Sequence, residues 1–242
     1  MKIQVFDSSH DVAEALADRV ACAIRQQPAL VLGLPTGRTP IRTYERLRRM
    51  HADLQFDATR LTTFNLDEFA GIDRSHPGSF RAFMEAQLFA PLRLRPDQIH
   101  FLDGMAADAD AECARYEAAI EAAGGIDLQI VGIGANGHIG FNEPADTLQA
   151  RTHRVTLADS TRRDNAGLFG GDAAQVPREA LSMGMGTILK ARALALIATG
   201  ERKAPCIEQA MRGPVTTRLP ASFLQLHPNV ELYLDRAAAS RL

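Results

Sequence analysis

The chain has 242 residues, of which 46% are hydrophobic and 23% are charged, and its formal net charge is −2. This composition excludes an intrinsically disordered chain and is typical of a globular protein with one large domain or two small ones. With no basic block, the chain is not expected to bind nucleic acid, and no apolar run approaches the ~20 residues that span a membrane. The N-terminus lacks a signal-peptide pattern, and three scattered cysteines indicate free thiols in a reducing compartment. We therefore expect a cytoplasmic protein.

Short apolar runs that are typical of strands alternate along the chain with helical patterns. In the first helix, apolar residues recur at every fourth position from Val12 to Ile24, and a later helix can begin with Thr39 as N-cap and Pro40 after it. Strands are predicted near residue 5 and at 29–34, 61–66, 126–131, 193–198 and 230–234, and helices at 11–25, 40–50, 80–88, 108–123 and 202–211. The alternation predicts a single α/β domain, residues 1–242, with a Rossmann-like, mostly parallel central sheet and helices on both faces.

Residues 146–186 have the least regular pattern in the chain and contain several glycines. Two interpretations fit this composition equally well. The segment can be a mobile lid over an active site, or it can be a surface insertion.

Three polar loops follow predicted strands. Ligands of parallel sheets bind beyond the carboxyl ends of the strands, so these loops are candidates for one site. The first loop spans residues 33–40 and leads into a helix, where backbone N–H groups and hydroxyls can bind an anion. It lacks the Gly-Lys-Ser/Thr sequence of a nucleotide-binding P-loop, which favours a monophosphate. A tight turn with a capping threonine is the structural alternative.

The second loop, residues 63–69, contains the adjacent acids Asp67 and Glu68 at the end of a buried strand. Neighbouring residues of an extended chain point in opposite directions, so one carboxylate can face a ligand while a partner holds the other. A partly desolvated carboxylate near a second acid has a raised pKa and can act as a base. The alternative is a solvated pair of acids.

The third loop, residues 132–144, places His138 and Glu143 among four glycines. Glycine allows positive φ and close approach of the backbone, and histidine carries a proton near neutral pH. Gly132, Gly134 and Gly137 also match the spacing of a dinucleotide fingerprint. That motif requires a helix after its last glycine, and Pro144 and a further glycine interrupt one here. A purely structural histidine is the other alternative, although Glu143 is close enough to orient the ring.

These three loops together resemble those of glucosamine-6-phosphate deaminases. Three further segments, Gln175-Val176-Pro177, Gly184-Met185-Gly186-Thr187 and Leu224-Gln225-Leu226-His227-Pro228, extend the resemblance over residues 29–228 in family order. The sister family, 6-phosphogluconolactonase, shares the fold, the phosphate loop and a Gly-His motif, but lacks the run Phe141-Asn142-Glu143-Pro144. The resemblance therefore favours the deaminases.

The resemblance implies conversion of glucosamine 6-phosphate and water to fructose 6-phosphate and ammonia, without a metal or organic cofactor. It implies that His138, supported by Glu143, opens the sugar ring and that Asp67 moves a proton from C2 to C1. The implied catalytic residues are Asp67, Asn136, His138 and Glu143, and the implied phosphate-binding residues are Thr36, Gly37, Arg38, Thr39, Arg162 and Lys203.

The chain departs from the family pattern at several positions. Asn136 stands where well-known members carry Asp, so this residue cannot change charge, and Arg38 replaces a smaller residue in the phosphate loop. Asp146, His153 and Val155 occupy positions where allosteric hexameric members hold an activator phosphate with Ser, Arg and Lys. We therefore expect no activator site for an amino-sugar phosphate.

Other functions remain open at this point. The alternatives are a lactonase-like hydrolase, a galactosamine-6-phosphate deaminase and a non-catalytic sugar-phosphate sensor. The presence of Asp67, His138 and Glu143 together argues against the sensor. The sequence does not decide between a monomer and a homo-oligomer.

Overall fold

A parallel sheet forms the centre of the computed structural model, which describes residues 1–242. The strands are β1 (Lys2–Phe6), β2 (Val31–Leu34), β3 (Thr62–Asn65), β4 (Asp67–Phe69), β5 (Ile99–His100), β6 (Leu128–Val131), β7 (His153–Thr156), β8 (Glu179–Ser182), β9 (Ala193–Ala198) and β10 (Val230–Asp235). The helices are α1 (Ser9–Gln26), α2 (Ile41–Ala52), α3 (Phe80–Met84), α4 (Ala109–Ala122), α5 (Asp159–Asn165), α6 (Met185–Leu189) and α7 (Ala204–Arg212). None of the helices combines the length and apolarity that a membrane span requires.

Seven strands pair in the order β1-β10-β9-β6-β2-β3-β5, and every neighbouring pair is parallel. Because side chains alternate along a strand, the central strands contribute to a separate core on each face. In β9, Leu194 and Leu196 pack on one face, whereas Ala195 and Ile197 pack with α1 and α2 on the other. Every residue of β9 is buried, as expected for a strand covered on both sides.

A second, smaller sheet stands at the carboxyl-terminal edge of the first. It consists of β4, β8 and β7 in that order, and both pairs are antiparallel. The chain passes from β3 to β4 through Leu66, whose N–H donates to Leu34 O in the large sheet while its own carbonyl accepts from Met183 N. This crossing brings the residues of β4 to the end of the parallel strands, where the sequence predicts a ligand site.

The predicted fold class is confirmed: a mostly parallel sheet with helices on both faces. The strand at 193–198 lies as predicted, and the other predicted strands and helices differ from the observed ones mainly at their ends. The predicted helix at 80–88 consists of α3 followed by one π-helical turn, Glu85–Phe89, and the helix at 202–211 begins with a 3₁₀ turn, Glu201–Lys203.

Two details differ from the prediction. Thr39 does not cap α2, because Pro40 occupies the N-cap position and no side chain bonds to the first turn. Residues 146–186 contain β7, α5, β8 and the start of α6, so this glycine-containing segment has regular structure and forms two strands of the small sheet.

Candidate active site

A cleft of about 590 Å³ opens at the carboxyl ends of β2, β3, β6 and β9. All three polar loops identified in the sequence contribute to its wall, as do α5 and the loop after β9. Asp67 and His138 both line this cleft, although they come from loops that are far apart in the sequence. The topology therefore brings a carboxylate and an imidazole to one site at the position that open parallel sheets use for ligands.

Asp67 begins β4 and is only 6% exposed. Burial, together with the negative charge of the neighbouring Glu68, raises the pKa of Asp67 to about 8. A carboxyl group in this state binds a proton more strongly than a free aspartate does. It is therefore a stronger base once it is ionised.

Glu68 points away from the cleft, as expected for adjacent residues of a strand. Its carboxylate accepts hydrogen bonds from the N–H groups of Phe69, at 2.8 Å, and of Phe80 and Arg81, at 3.0 and 2.9 Å. Burial raises the pKa of Glu68 to about 7 even though these three amides lower it. These bonds tie β4 to the first turn of α3 and place Phe80 in the cleft wall.

The glycine-containing loop lets the ring of His138 lie directly against the backbone. A Cβ atom at Gly134 would be 2.3 Å from the imidazole, so a larger residue cannot stand there while the ring keeps this position. At Gly140, φ is +57°, and a Cβ atom would be 3.3 Å from Asp67 Oδ2 and 3.2 Å from Ser182 Oγ. The loop thus contacts the imidazole at Gly134 and the carboxylate at Gly140, at distances that a larger residue would not permit without displacement.

Glu143 is held beside the imidazole by hydrogen bonds to both of its oxygens. Oε2 accepts from Asn136 Nδ2 at 2.9 Å and lies 3.6 Å from His138 Nδ1, which is an ion-pair distance. Oε1 accepts from the hydroxyl of Thr161 on α5. Burial raises the pKa of Glu143, but His138, Thr161 and Asn136 outweigh this effect and hold the pKa at about 2. Glu143 is therefore a permanent anion that can support a positive charge on His138.

Asn136 connects Glu143 with the loop itself. While its Nδ2 donates to Glu143, its Oδ1 accepts from the backbone N–H of His138 at 3.2 Å. The side chain is not among the residues that line the cleft. Its contacts are those of a residue that fixes the carboxylate and the loop.

The first loop and three cations also line the cleft. Thr36, Gly37, Arg38 and Thr39 all line it, together with Arg202 and Lys203 from the loop after β9. Lys203 Nζ donates to Ile133 O at 2.7 Å. Burial lowers the pKa of Lys203, and the guanidinium groups of Arg202 and Arg38 add to this lowering. These three cations can bind an anionic ligand.

Arg162 lies outside the residues that line the cleft. Its guanidinium donates to Ala173 O at 2.9 Å and to Val176 O at 3.0 Å, and it is 3.7 Å from Asp159. Seven of the ten predicted site residues line the cleft: Thr36, Gly37, Arg38, Thr39, Asp67, His138 and Lys203. Glu143 contacts the cleft through His138, and Asn136 contacts Glu143. Arg162 is bound to carbonyl oxygens outside the cleft lining.

Among the residues of this site that were not identified from the sequence are Thr161, Phe80, Arg202 and Ser182. Thr161 and Phe80 belong to short helices, and which way their side chains point depends on the packing of those helices. Ser182 lies opposite Asp67 in the β4–β8 pair, and its hydroxyl accepts from Phe141 N at 3.0 Å. Of these four residues, only Arg202 carries a feature that the sequence shows, because it is a cation next to Lys203.

No group of three or more His, Cys, Asp or Glu side chains is arranged to share a metal ion. The polar residues that line the cleft include three acids (Asp67, Asp164 and Glu201), one histidine, one asparagine, several threonines and three cations (Arg38, Arg202 and Lys203). This set can transfer protons and bind an anion.

Comparison with known proteins agrees with this geometry. The family model of glucosamine-6-phosphate isomerases/6-phosphogluconolactonase matches residues 6–233. Glucosamine-6-phosphate deaminase 2 of Bacillus subtilis is 44% identical, with 100% of this chain and 98% of the relative covered. The solved structure of a monomeric glucosamine-6-phosphate deaminase is 38% identical and superposes with a TM-score of 0.96 over 100% of both chains.

A 6-phosphogluconolactonase of Trypanosoma cruzi, at 19% identity, superposes with a TM-score of 0.80 over 100% of this chain and 96% of its own, which shows a common fold. The family model covers nearly the whole chain, and the relatives match it from end to end. The chain therefore belongs to the glucosamine-6-phosphate isomerase/6-phosphogluconolactonase family.

Proposed function

We propose that this protein converts D-glucosamine 6-phosphate and water to D-fructose 6-phosphate and ammonia. The observation that carries the proposal is that Asp67 and His138 line the same cleft as the first loop and Lys203. The full-length similarity to glucosamine-6-phosphate deaminases supports the same activity. This reaction needs one group for ring opening, one base for carbon-to-carbon proton transfer and one site for the phosphate.

The phosphate is bound at the amides and hydroxyls of Thr36, Gly37 and Thr39, with the positive charges of Arg38 and Lys203. A loop that precedes a helix supplies N–H groups that an anion can accept, and α2 follows this loop directly. The anion also offsets the repulsion between Lys203 and its neighbouring guanidinium groups. For Arg162 to join this clamp, its guanidinium would have to leave the carbonyl oxygens of Ala173 and Val176.

Ring opening is assigned to His138. Its Nδ1 faces Glu143, which leaves Nε2 for the sugar. The imidazole takes the proton of the anomeric hydroxyl and returns a proton to the ring oxygen as the C1–O5 bond breaks, giving the open-chain aldehyde. Glu143 stabilises the imidazolium between these two transfers, and Asn136 keeps Glu143 in place.

Proton transfer from C2 to C1 is assigned to Asp67. Its carboxylate takes the C2 proton while the C1 carbonyl oxygen gains a proton from a water molecule, which becomes hydroxide, and an enolamine forms. The carboxyl group then gives its proton to C1, and the electrons of the enolamine form a C2 iminium ion. The hydroxide adds to C2, the new hydroxyl gives its proton to the nitrogen, and ammonia leaves as the C2 carbonyl forms, which yields fructose 6-phosphate and accounts for every atom of the reaction.

The test is to supply purified protein with glucosamine 6-phosphate and to measure ammonia and fructose 6-phosphate together. We expect equal amounts of the two products. Galactosamine 6-phosphate and 6-phosphogluconolactone, supplied separately, distinguish the epimer-specific deaminase and the lactonase. Saturable binding of glucosamine 6-phosphate without either product would identify a sensor and refute the proposal.

A further inference from the structure

Thr161 holds the oxygen of Glu143 that faces away from the histidine. It is 2% exposed, and its hydroxyl donates to Glu143 Oε1, whereas Asn136 and His138 are the neighbours of Oε2. The carboxylate is thus gripped from two sides by two different parts of the chain. Without Thr161, Oε1 has no other hydrogen-bond donor in the structure, and the carboxylate can rotate about its terminal bond.

The helix that carries Thr161 is itself held in place. Arg162, the next residue, points about a third of a turn away along α5 and donates to Ala173 O at 2.9 Å and to Val176 O at 3.0 Å. Asn165 Nδ2 donates to Thr161 O at 2.9 Å. The hydrogen bonds that hold α5 therefore also fix the position of the Thr161 hydroxyl.

The same helix also forms part of the cleft wall. Thr161, Asp164 and Asn165 all line the cleft, and residues three and four positions apart share one face of a helix. One surface of α5 thus contacts both the space for the sugar and the carboxylate behind the imidazole. A ligand that shifts α5 would move the Thr161 hydroxyl relative to Glu143.

We infer that Thr161 is a positioning residue for ring opening, which fixes Glu143 behind His138 and links this pair to the α5 wall of the cleft. The inference rests on the proposed function, since ring opening is a step of that reaction. Thr161 does not exchange a proton with the sugar. It keeps the carboxylate in the orientation that presents Nε2 of His138 to the substrate.

The experiment compares Thr161→Val, which removes the hydroxyl at nearly constant volume, with Thr161→Ser, which retains it. Thr187→Val is the matched control, because the Thr187 hydroxyl donates to the buried carboxylate of Glu117 at 2.6 Å, away from the cleft. The measurements are kcat and KM for glucosamine 6-phosphate and the inhibition constant of 2-amino-2-deoxyglucitol 6-phosphate. This acyclic compound cannot cyclise, so its binding does not depend on ring opening.

For Thr161→Val we expect kcat to fall on the order of tenfold, the loss typical of one hydrogen bond to a charged group. The inhibition constant of the acyclic compound should change less than about threefold, and Thr161→Ser and Thr187→Val should keep most of the activity. Unchanged kcat in Thr161→Val would overturn the inference. So would an equal loss in Thr161→Ser or in Thr187→Val, since either would indicate a general packing effect.

A second readout separates this inference from the proposed function. The imidazole signals of His138 are followed by NMR in the wild type, Thr161→Val and Thr187→Val. We expect a displaced His138 signal in Thr161→Val alone, whether or not the wild type releases ammonia. If the wild type is inactive, the proposed function fails, and identical His138 signals in all three proteins would independently refute the positioning role.

Discussion

Asp67 and Glu68 are adjacent in β4 but face opposite environments. Asp67 lines the cleft, whereas Glu68 is 2% exposed and accepts hydrogen bonds from the N–H groups of Phe80 and Arg81. One acid is thus available to a ligand while its neighbour is fixed and supplies negative charge. Together with burial, that charge raises the pKa of Asp67 to about 8. The pair is arranged to make a strong base from an ordinary carboxyl group.

Replacing Asp67 by Asn should remove the base while preserving the shape of the cleft. We expect kcat for glucosamine 6-phosphate to fall by roughly 10²–10⁴-fold, the usual contribution of a general base. Binding of the acyclic sugar phosphate should persist, because the residues proposed to bind the phosphate are unchanged. Turnover near the wild-type rate would show that Asp67 is not the base.

The activity should rise with pH until Asp67 is ionised. A base must be deprotonated. The ionisation of Asp67 should therefore increase kcat/KM up to about pH 8 and cause no further increase above it. Glu68→Gln removes the neighbouring negative charge and so lowers the pKa of Asp67. The rise of kcat/KM should therefore occur at lower pH in this variant. Comparing the variant with the wild type cancels the titration of the substrate's own amine and phosphate.

Glu117→Gln is the control for this shift, because Glu117 is a buried carboxylate bonded to Thr152 and Thr187 away from the cleft. Its pH profile should match that of the wild type. A Glu68→Gln profile that also matches the wild type would contradict the electrostatic coupling of Glu68 to Asp67.

The raised pKa of Asp67 also predicts how stability depends on pH. The native state holds this proton up to about pH 8, whereas an unfolded aspartate loses it near pH 4, so the native state binds more protons in between. The free energy of unfolding therefore falls as pH rises through this window. The amide that replaces the carboxyl group in Asp67→Asn does not titrate, so it does not cause this fall in the free energy of unfolding. The free energy of unfolding of Asp67→Asn, relative to that of the wild type, should therefore increase from pH 5 to pH 8.5.

Thermal unfolding of both proteins at the two pH values measures this effect. A difference of 1 kcal/mol corresponds to about 2–4 °C in Tm for a chain of this size. If the difference in Tm between Asp67→Asn and the wild type is the same at both pH values, the pKa of Asp67 is not raised in the native state.

Sequence patterns predicted six of the seven strands of the parallel sheet and missed β5, which has only two residues; the central strands are the clearest because they are apolar runs between turn signals. The strand at 193–198 is an example, since all six of its residues are buried. The small sheet was missed for a physical reason. β4 has three residues, two of them acidic, and it pairs with β8, more than 100 residues later in the chain. No local pattern announces such a pairing.

The sequence likewise indicated some residues of the site and missed others. Asp67, His138 and Glu143 were visible because each lies beside a strand end or a glycine run, where an ionisable residue is conspicuous. Thr161 was not, because a threonine in a short helix is ordinary until the direction of its hydroxyl is known. The lid role of residues 146–186 stays a prediction.

Lys203 and Arg162 should respond differently to substitution. Lys203→Met removes a cation from the cleft wall, so we expect KM to rise by roughly tenfold or more with a smaller change in kcat. Arg162→Met instead frees the carbonyl oxygens of Ala173 and Val176, so it should lower Tm and kcat more than it raises KM. If Arg162→Met raises KM as much as Lys203→Met does, the guanidinium reaches the phosphate during turnover.

The regulatory prediction concerns the positions of Asp146, His153 and Val155. Asp146 is an exposed carboxylate that pairs with Arg218, and the ring of His153 bonds to Arg151 O at 3.0 Å. A carboxylate repels a phosphate, and Val155 offers no hydrogen bond to one. We therefore expect a hyperbolic dependence of rate on glucosamine 6-phosphate. N-acetylglucosamine 6-phosphate should not change this curve when it is added at concentrations up to the KM of the substrate. Sigmoidal kinetics that become hyperbolic on its addition would show that an activator site exists despite these side chains.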